Sequence, residues 1–303
     1  MVNGSRLSLT ISRVSRQSDS SNSMYSLVFF TTEDGFSLNV QRKMQLFKDV
    51  SELYHEHYHS KSILFTTTPE LVSFFKNSSV ITSPNFAVNR YGMPTVPSMF
   101  KAASTLVKAD YYGYLNADIM FEPTLFDVLH FCKEEANAGR IAKQHEIASR
   151  VYERKWEYIP THFPDLPSIQ SFFARFTRNR QSLRNVGSAD YFVFSRDALP
   201  LITRTEEEAV VGRYGIDNYV MGAVWDRNRR NQTSQLIDST FVVVGMHEGK
   251  EGYYSRNAHI VNEDRNWNRI VMKNHSIHFS FLGERYNLQL ELMDGKCCTI
   301  KNV

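Results

Sequence analysis

The chain has 303 residues, and its 35 lysines and arginines against 32 aspartates and glutamates leave a net charge of only +3. A hydrophobic fraction of 42%, with 14 glycines and 9 prolines, is typical of a folded protein with a large core and excludes a disordered or collagen-like chain. Three cysteines are too few for a disulfide framework. Arginines cluster at 175–184 and 227–230, but the near balance of charge and the lack of a binding motif argue against a nucleic-acid partner.

The first 24 residues are rich in serine and contain no apolar run long enough for a signal peptide or a membrane helix. We therefore expect a flexible segment over residues 1–24 and one folded domain over residues 25–303, without a membrane segment. The sequence as written predicts a soluble chain. Its compartment is left open between the cytoplasm and, if an anchor precedes it in the natural protein, the Golgi lumen.

The first part of the chain predicts strands and helices in alternation. Short runs of β-preferring residues predict strands at 26–32, 63–67, 79–82 and 111–115. Helical spacing or helix-start signals predict helices at 36–59, 68–75 and 98–109. This alternation predicts a parallel sheet with helices on its faces and right-handed connections.

The second part of the chain departs from this alternation. Helices are predicted at 123–136, 169–176 and 216–225, and strands at 190–194 and 240–244. The segment 139–167 mixes charged residues, histidine and proline, and its pairing is left undecided. The whole pattern predicts an α/β fold with a mixed, mostly parallel central sheet flanked by helices.

Two oxygen-bearing side chains follow the strand predicted at 111–115. Asn116 and Asp118 are two residues apart, so they point the same way at the carboxyl end of a strand, where ligands bind in parallel sheets. Such oxygens suit a hard divalent cation that bridges phosphates, and the ion would offset charge on a diphosphate leaving group. The alternative is an Asx-type turn, which both residue types form readily.

Three segments, at 110–119, 185–196 and 212–219, together resemble the nucleotide-sugar-dependent glycosyltransferases of the GT-A fold superfamily. Asp110–Ile119 resembles the central segment in which that superfamily carries an Asp-x-Asp motif or a variant of it. Asn185–Arg196 looks like the strand with acceptor-side groups, and Gly212–Tyr219 is similar to the segment that brings an acid toward the acceptor. The segments occur in the family's order. The resemblance therefore implies a single GT-A-like glycosyltransferase domain.

The resemblance also implies a reaction and its partners. A sugar would pass from a nucleoside-diphosphate donor, with a UDP-sugar favoured, to a hydroxyl of a glycan or other acceptor. Asp118 and Asn116, which replaces the usual first acid, would hold Mn²⁺ or Mg²⁺ and the diphosphate, and His247 would complete the metal site. Asp217 would be the general base of an inverting transfer. Its alternative is a first-turn acid favoured by the helix dipole.

The remaining candidate residues form a donor set and an acceptor set. The donor set, which GT-A members place beside the nucleotide or which could reach phosphate, comprises Phe30, Thr31, Thr32 and Arg90, with Arg213 in a second predicted loop. The acceptor set comprises Gly187, Ser188 and Asp190. A turn acid is the alternative for Asp190.

Two other functions are kept as alternatives. The motif His55-Glu56-x-x-His59 has the spacing that places two imidazoles on one helix face to bind zinc, with Glu56 as a base, so it predicts a zinc metallopeptidase. No third histidine follows it before the strand predicted at 63–67. The other alternative is a catalytically silent module that binds nucleotide sugars or glycans on the same fold.

Overall fold

The computed structural model describes residues 24–154, 159–176, 183–184, 189–231, 233–248, 260–279, 282, 288–293 and 297–302. All of the predicted flexible segment except its last residue lies outside this part of the chain, and that boundary stays a prediction. None of the helices within the described residues is both long and apolar enough to cross a bilayer.

The described residues form twelve strands, here numbered in chain order. They are β1 (Tyr25–Thr32), β2 (Ser60–Phe65), β3 (Ile81–Ser83), β4 (Ala109–Leu115), β5 (Ile119–Phe121), β6 (Gln144–Arg150), β7 (Tyr152–Arg154), β8 (Ala189–Ser195), β9 (Ser234–Asp238), β10 (Gly245–Glu248), β11 (Leu288–Met293) and β12 (Cys297–Asn302).

The helices of the same residues alternate with these strands. They are α1 (Leu38–Tyr58), α2 (Pro69–Phe75), α3 (Val96–Leu106), α4 (Thr124–Asn137), α5 (Leu166–Phe176), α6 (Leu199–Ile202), α7 (Ile216–Asn231), α8 (Asn262–Arg265) and α9 (Trp267–Asn274).

Nine strands form the central sheet in the order β12-β11-β9-β6-β8-β4-β1-β2-β3, and β5-β10-β7 form a second, smaller sheet. In the central sheet β8 is antiparallel to both neighbours, β12 is antiparallel to β11, and the remaining pairs are parallel. The predicted fold class, an α/β fold with a mixed and mostly parallel sheet, is confirmed. The carboxyl ends of β1, β2, β4, β6 and β9 consequently share one edge.

Side chains that alternate along the strands of the central sheet belong to two different hydrophobic cores. On β1, Leu27 and Phe29 pack into the core that includes α1 and α4, whereas Val28 and Phe30 pack into the core that includes α3 and α7. This alternation is the two-residue period of a strand with both faces covered. It decides which side chains of a strand remain available at the edge of the sheet.

Local signals explain most helix boundaries. Ser37 caps α1 through a hydrogen bond from the Val40 amide to its hydroxyl, and the helix ends where His59 adopts a left-handed φ of 51°. Pro69 begins α2 as predicted, but the Thr68 hydroxyl donates to the Asp34 carboxylate instead of capping the helix. The helix predicted from 98 begins earlier, at Val96.

The strand predicted at 240–244 is wrong. The amides of Val242 and Val243 both donate to the Ser239 carbonyl, so the segment is a turn between β9 and β10. Val242, Val243 and Val244 are buried in the core, whereas Phe241 is exposed, so the apolar run comes from a turn that is buried in part. A short apolar run therefore does not distinguish a buried turn from a buried strand.

Candidate active site

The small sheet brings two distant polar side chains to the carboxyl edge of β4. On β10, His247 lies opposite Ile119 of β5, and Asp118 directly precedes that residue. The His247 Nε2 atom is consequently 3.5 Å from the Asp118 Oδ2 atom. The small sheet also packs tightly against the large one, because a Cβ on Gly245 would lie 2.7 Å from Val151 and 3.1 Å from the Tyr191 ring.

The spacing of Asp118 and His247 suits two ligands of one cation. Metal bonds of about 2.1 Å place adjacent ligand atoms roughly 3.0–3.5 Å apart. The observed 3.5 Å is longer than an ordinary hydrogen bond. The fit to a divalent cation therefore rests on this spacing. The buried Nδ1 atom on the other side of the imidazole has no hydrogen-bond partner among the described residues, so none of them orients the ring through that atom.

The rest of such a coordination shell would come from weaker ligands and the substrate. Within the described residues, no cluster of three or more histidine, cysteine, aspartate or glutamate side chains could hold a metal ion. The Asn116 amide oxygen, the third predicted donor, accepts a 2.8 Å hydrogen bond from the Tyr114 hydroxyl. Mg²⁺ commonly binds through one or two carboxylates together with substrate phosphates, so a sparse protein shell suits it.

An apolar cavity lies beside Asp118. Its walls come from β1, α1, β10, Ile159 and the segment 115–121, and Lys43 and Asp118 are its charged members. Lys43 forms a 2.6 Å ion pair with Glu33, just beyond the end of β1. Low-dielectric walls strengthen the interactions of a nearby charge. Sequence reasoning missed Lys43, because nothing in the spacing of a long amphipathic helix indicates which lysine turns toward a sheet edge.

The predicted donor set separates into buried and engaged side chains. Phe30 is fully buried in edge-on contact with Phe65 and Phe100, so we no longer assign it a ligand contact. Thr31 is also fully buried, and its hydroxyl has no partner among the described residues. The Thr32 hydroxyl donates to the Phe65 carbonyl across 2.9 Å.

Both predicted arginines are engaged elsewhere. The exposed guanidinium of Arg90 pairs with Glu263 and lies over the rings of Tyr91 and Trp267. Arg213 forms a bidentate ion pair with Asp264, with distances of 2.7 and 2.8 Å. Glu263 and Asp264 therefore already pair with the two guanidinium groups that the sequence analysis expects to contact phosphate.

The predicted acceptor set is only partly within the described residues. Gly187 and Ser188 lie outside them. Asp190 belongs to β8, between Ala189, which pairs with Arg150 of β6, and Tyr191, which pairs with Leu115 of β4. The backbone of Asp190 therefore lies at the same edge of the sheet as Asp118.

The predicted base, Asp217, lies in the first turn of α7. The loop before it is held by the α8–α9 segment through the Arg213–Asp264 ion pair and through Asn268. The fully buried Asn268 side chain accepts a hydrogen bond from the Val210 amide and donates to the carbonyls of Val210 and Arg213. Gly212 and Gly215 have φ angles of 71° and 84°, which favour glycine.

The His55-Glu56-x-x-His59 motif does not form the zinc site that its spacing predicts. His59 lies beyond the end of α1 in a left-handed conformation and stacks on Tyr25, with ring centres 4.6 Å apart. His55 uses its Nδ1 atom on the Ser60 carbonyl at 2.7 Å. The two imidazoles therefore do not share a helix face, and we do not retain the metallopeptidase interpretation.

Two carboxyl groups, one partly and one fully buried, lie near or behind the site. Burial raises the pKa of Glu122 to about 7, although its carboxylate accepts a hydrogen bond from the Val244 amide. Burial raises the pKa of Glu146 to about 8. Glu146 lies in the middle of β6, fully buried, and neither of its carboxyl oxygens has a partner among the described residues. It belongs to the core and not to the edge of the sheet.

Comparisons with known proteins give matches only among solved structures. No family model and no curated protein matches the chain. TarS residues 1–349 from S. aureus, in complex with UDP-GlcNAc, is similar at 9% identity and a TM-score of 0.46, covering 82% of this chain and 66% of that one. The chain thus spans slightly less than two thirds of that TarS fragment.

Two further solved structures are similar at comparable identity. A glycosyltransferase involved in the glycosylation of the major capsid of PBCV-1 matches at 10% identity and a TM-score of 0.38, covering 77% of this chain and 98% of that one. HddC from Yersinia pseudotuberculosis matches at 11% identity and a TM-score of 0.31, covering 59% and 79%. Such identities concern the fold alone, so the chemistry is argued from the site.

Proposed function

We propose that the protein is a GT-A-type glycosyltransferase that moves a sugar from a nucleoside-diphosphate donor, with a UDP-sugar favoured, to a hydroxyl acceptor. The observation that carries the proposal is the 3.5 Å approach of Asp118 and His247 at the carboxyl edge of the sheet. These residues come from distant parts of the chain, and that edge is where parallel α/β sheets bind their ligands.

Asp118 and His247 would hold the divalent cation, with the Asn116 amide beside them. A Mn²⁺ or Mg²⁺ ion bound there supplies neutralisation of the charge that develops on the diphosphate leaving group. The apolar walls of the cavity beside Asp118 would be covered by the bound donor. Water expelled by that binding would protect the donor from hydrolysis and strengthen electrostatic stabilisation.

Asp217 would remove the proton from the acceptor hydroxyl. The acceptor oxygen would form its bond to the anomeric carbon as the bond from that carbon to the diphosphate breaks, with inversion at the carbon. The loop directly before Asp217 is held by Asn268 and by the Arg213–Asp264 pair. A fixed loop favours a fixed position of the base.

Thermal unfolding of the full chain with UDP, GDP and CDP, each with and without Mn²⁺, tests the proposal. A ligand that binds only the folded state raises the melting temperature. We expect one nucleotide to do so only when Mn²⁺ is present, and Asp118→Asn to remove the metal-dependent part. Asp110→Asn is the matched control. Asp110 lies at the amino end of β4, the end opposite Asp118, and pairs with Lys133 at 2.6 Å.

The remaining outcomes separate the alternatives. No shift with any nucleotide would contradict a nucleotide-sugar site. Metal-dependent nucleotide binding without turnover of any donor would support the silent binding module. Stabilisation by zinc alone, lost on changing His55, would restore the metallopeptidase interpretation.

A further inference from the structure

Among the arginines at the α8–α9 segment, Arg269 differs from Arg90 and Arg213. Arg213 pairs with Asp264, and Arg90 pairs with Glu263. Arg269, on α9, has neither a carboxylate nor a hydrogen-bond acceptor among the described residues. Its charge is therefore available to an anion in a way that the other two charges are not.

Two aromatic rings hold the Arg269 guanidinium. Its central carbon is 5.3 Å from the centre of the Tyr214 ring and 5.8 Å from that of the Phe279 ring. The two rings are stacked, with centres 6.0 Å apart. A guanidinium held over ring faces keeps its in-plane N–H donors free to form a fork toward a carboxylate or a phosphate. Tyr214 itself is 49% exposed.

This aromatic–arginine cluster, formed by Tyr214, Phe279 and Arg269, lies at the start of the helix that carries Asp217. A Cβ on Gly215 would be 3.3 Å from the Phe279 ring and 3.8 Å from the Arg269 Cγ atom. Gly215 directly precedes α7, and Asp217 lies in its first turn. Because Gly215 has no side chain, the cluster can pack directly against the loop that precedes Asp217.

We propose that the aromatic–arginine cluster is an acceptor subsite for a sugar unit that carries an anionic group. The apolar C–H face of the sugar ring would pack on the exposed Tyr214 ring, and Arg269 would bind the carboxylate or phosphate through two parallel N–H donors. The role of this ligand as the acceptor rests on the proposed function. Binding of the anionic sugar does not, and it can be measured alone.

Ligand-observed NMR titrations of the full chain with three probes test the subsite. The probes are methyl β-D-glucuronide, glucose 6-phosphate and the neutral methyl β-D-glucoside. We expect an anionic probe to bind about tenfold more tightly than the neutral one, which corresponds to about 1.4 kcal/mol. A preference for only one of the two anions supports the subsite and identifies which group it takes.

Matched variants assign the preference to Arg269. Arg269→Gln is expected to remove the preference, whereas Arg90→Gln, which changes a guanidinium stacked on aromatic rings but already paired with Glu263, is expected to retain it. Tyr214→Ala is expected to weaken all three probes. Equal binding of neutral and anionic probes to the native chain, or equal loss in Arg90→Gln and Arg269→Gln, would overturn the proposal.

The nucleotide measurement keeps the two proposals distinguishable. Arg269→Gln should keep the full Mn²⁺-dependent rise in melting temperature with the nucleotide. If that rise is intact in the native chain and the anionic preference is missing, the subsite is refuted and the proposed function stands. If the preference is present but no nucleotide binds, the proposed function is refuted and the anion subsite stands.

Discussion

Two carboxylic acids on the central sheet show how position along a strand decides chemistry. Asp118 follows the carboxyl end of β4, is 29% exposed and faces His247. Glu146 lies in the middle of β6, between the cross-strand neighbours Phe194 and Leu236, which belong to the hydrophobic core. At the edge a carboxylate remains accessible to solvent and to a cation, whereas in the interior burial favours the neutral acid.

The edge residue should dominate activity without affecting the fold. Asp118→Asn removes a charged ligand, so donor cleavage and transfer should fall by about 10³-fold, while the melting temperature without ligands stays close to that of the native chain. Initial rates of UDP release and thermal melts measure the two effects. Asp110→Asn is again the control. Full activity in Asp118→Asn would break the distinction between edge and interior.

A substitution of Asp217 tests whether this first-turn residue of α7 is the general base for the site at the sheet edge. Asp217→Asn should lower transfer by about 10²-fold, because the acceptor hydroxyl loses its proton acceptor. Nucleotide binding should be unchanged, since the donor site is formed by other elements. Asp127→Asn, which alters a first-turn acid of α4, is the matched control. Equal rates for the two variants would show that Asp217 is only a helix-dipole acid.

His247 tests whether the edge carboxylate acts as one of a pair. His247→Gln should raise the Mn²⁺ concentration required for half-maximal activity by about 10–100-fold, at least the effect seen when a partner of a metal ligand is lost. Activity at saturating Mn²⁺ should recover more fully than in Asp118→Asn. A Mn²⁺ titration of donor turnover measures this. An unchanged titration would place the metal site away from β10.

The pH dependence of the free energy of unfolding tests the interior carboxyl group, Glu146. Its pKa is raised from 4.5 to about 8 in the folded chain, so between these values the folded state keeps a proton that the unfolded state has released. The free energy of unfolding consequently falls as pH rises through this window, by at most about 1.4 kcal/mol per pH unit for one group.

Glu146→Gln should remove this share of the pH dependence. The raised pKa of Glu122, about 7, acts in the same direction and overlaps this interval, so the contribution of Glu146 is the difference between the native chain and the variant from pH 7 to 8. Chemical unfolding of both chains at these two pH values provides the measurement. Parallel loss of stability in the native chain and the variant would show that Glu146 is already ionised in the fold.

Much of the fold was predictable, because local signals and the sheet agree over the first part of the chain. The strand at 111–115 and the helix from Pro69 were found within a few residues. β6 was not, because its sequence QHEIASR looks polar although His145, Glu146 and Ser149 are buried. Burial of polar residues is a property of tertiary packing and leaves no mark in a periodic pattern.

The site was predictable to a lesser degree. Asp118 and His247 were named together through family resemblance, and the structure places them side by side. Phe30 was assigned to the ligand because only its position near a strand end was visible, and not the face to which it points. The aromatic–arginine cluster was missed because Tyr214, Arg269 and Phe279 are separated along the chain and meet only through packing around Gly215.

Helices α8 and α9 hold the loop before Asp217, so this loop can open locally while the pairing of β10 with β5 stays intact. If these short helices detach, the Val210 amide loses its acceptor on Asn268, and the base is released. The pairing of β10 with β5, which keeps His247 beside Asp118, involves none of these contacts. Amide exchange at Val210 should therefore outpace exchange in β10. In the opened state the donor half of the site would persist, and water would replace the acceptor.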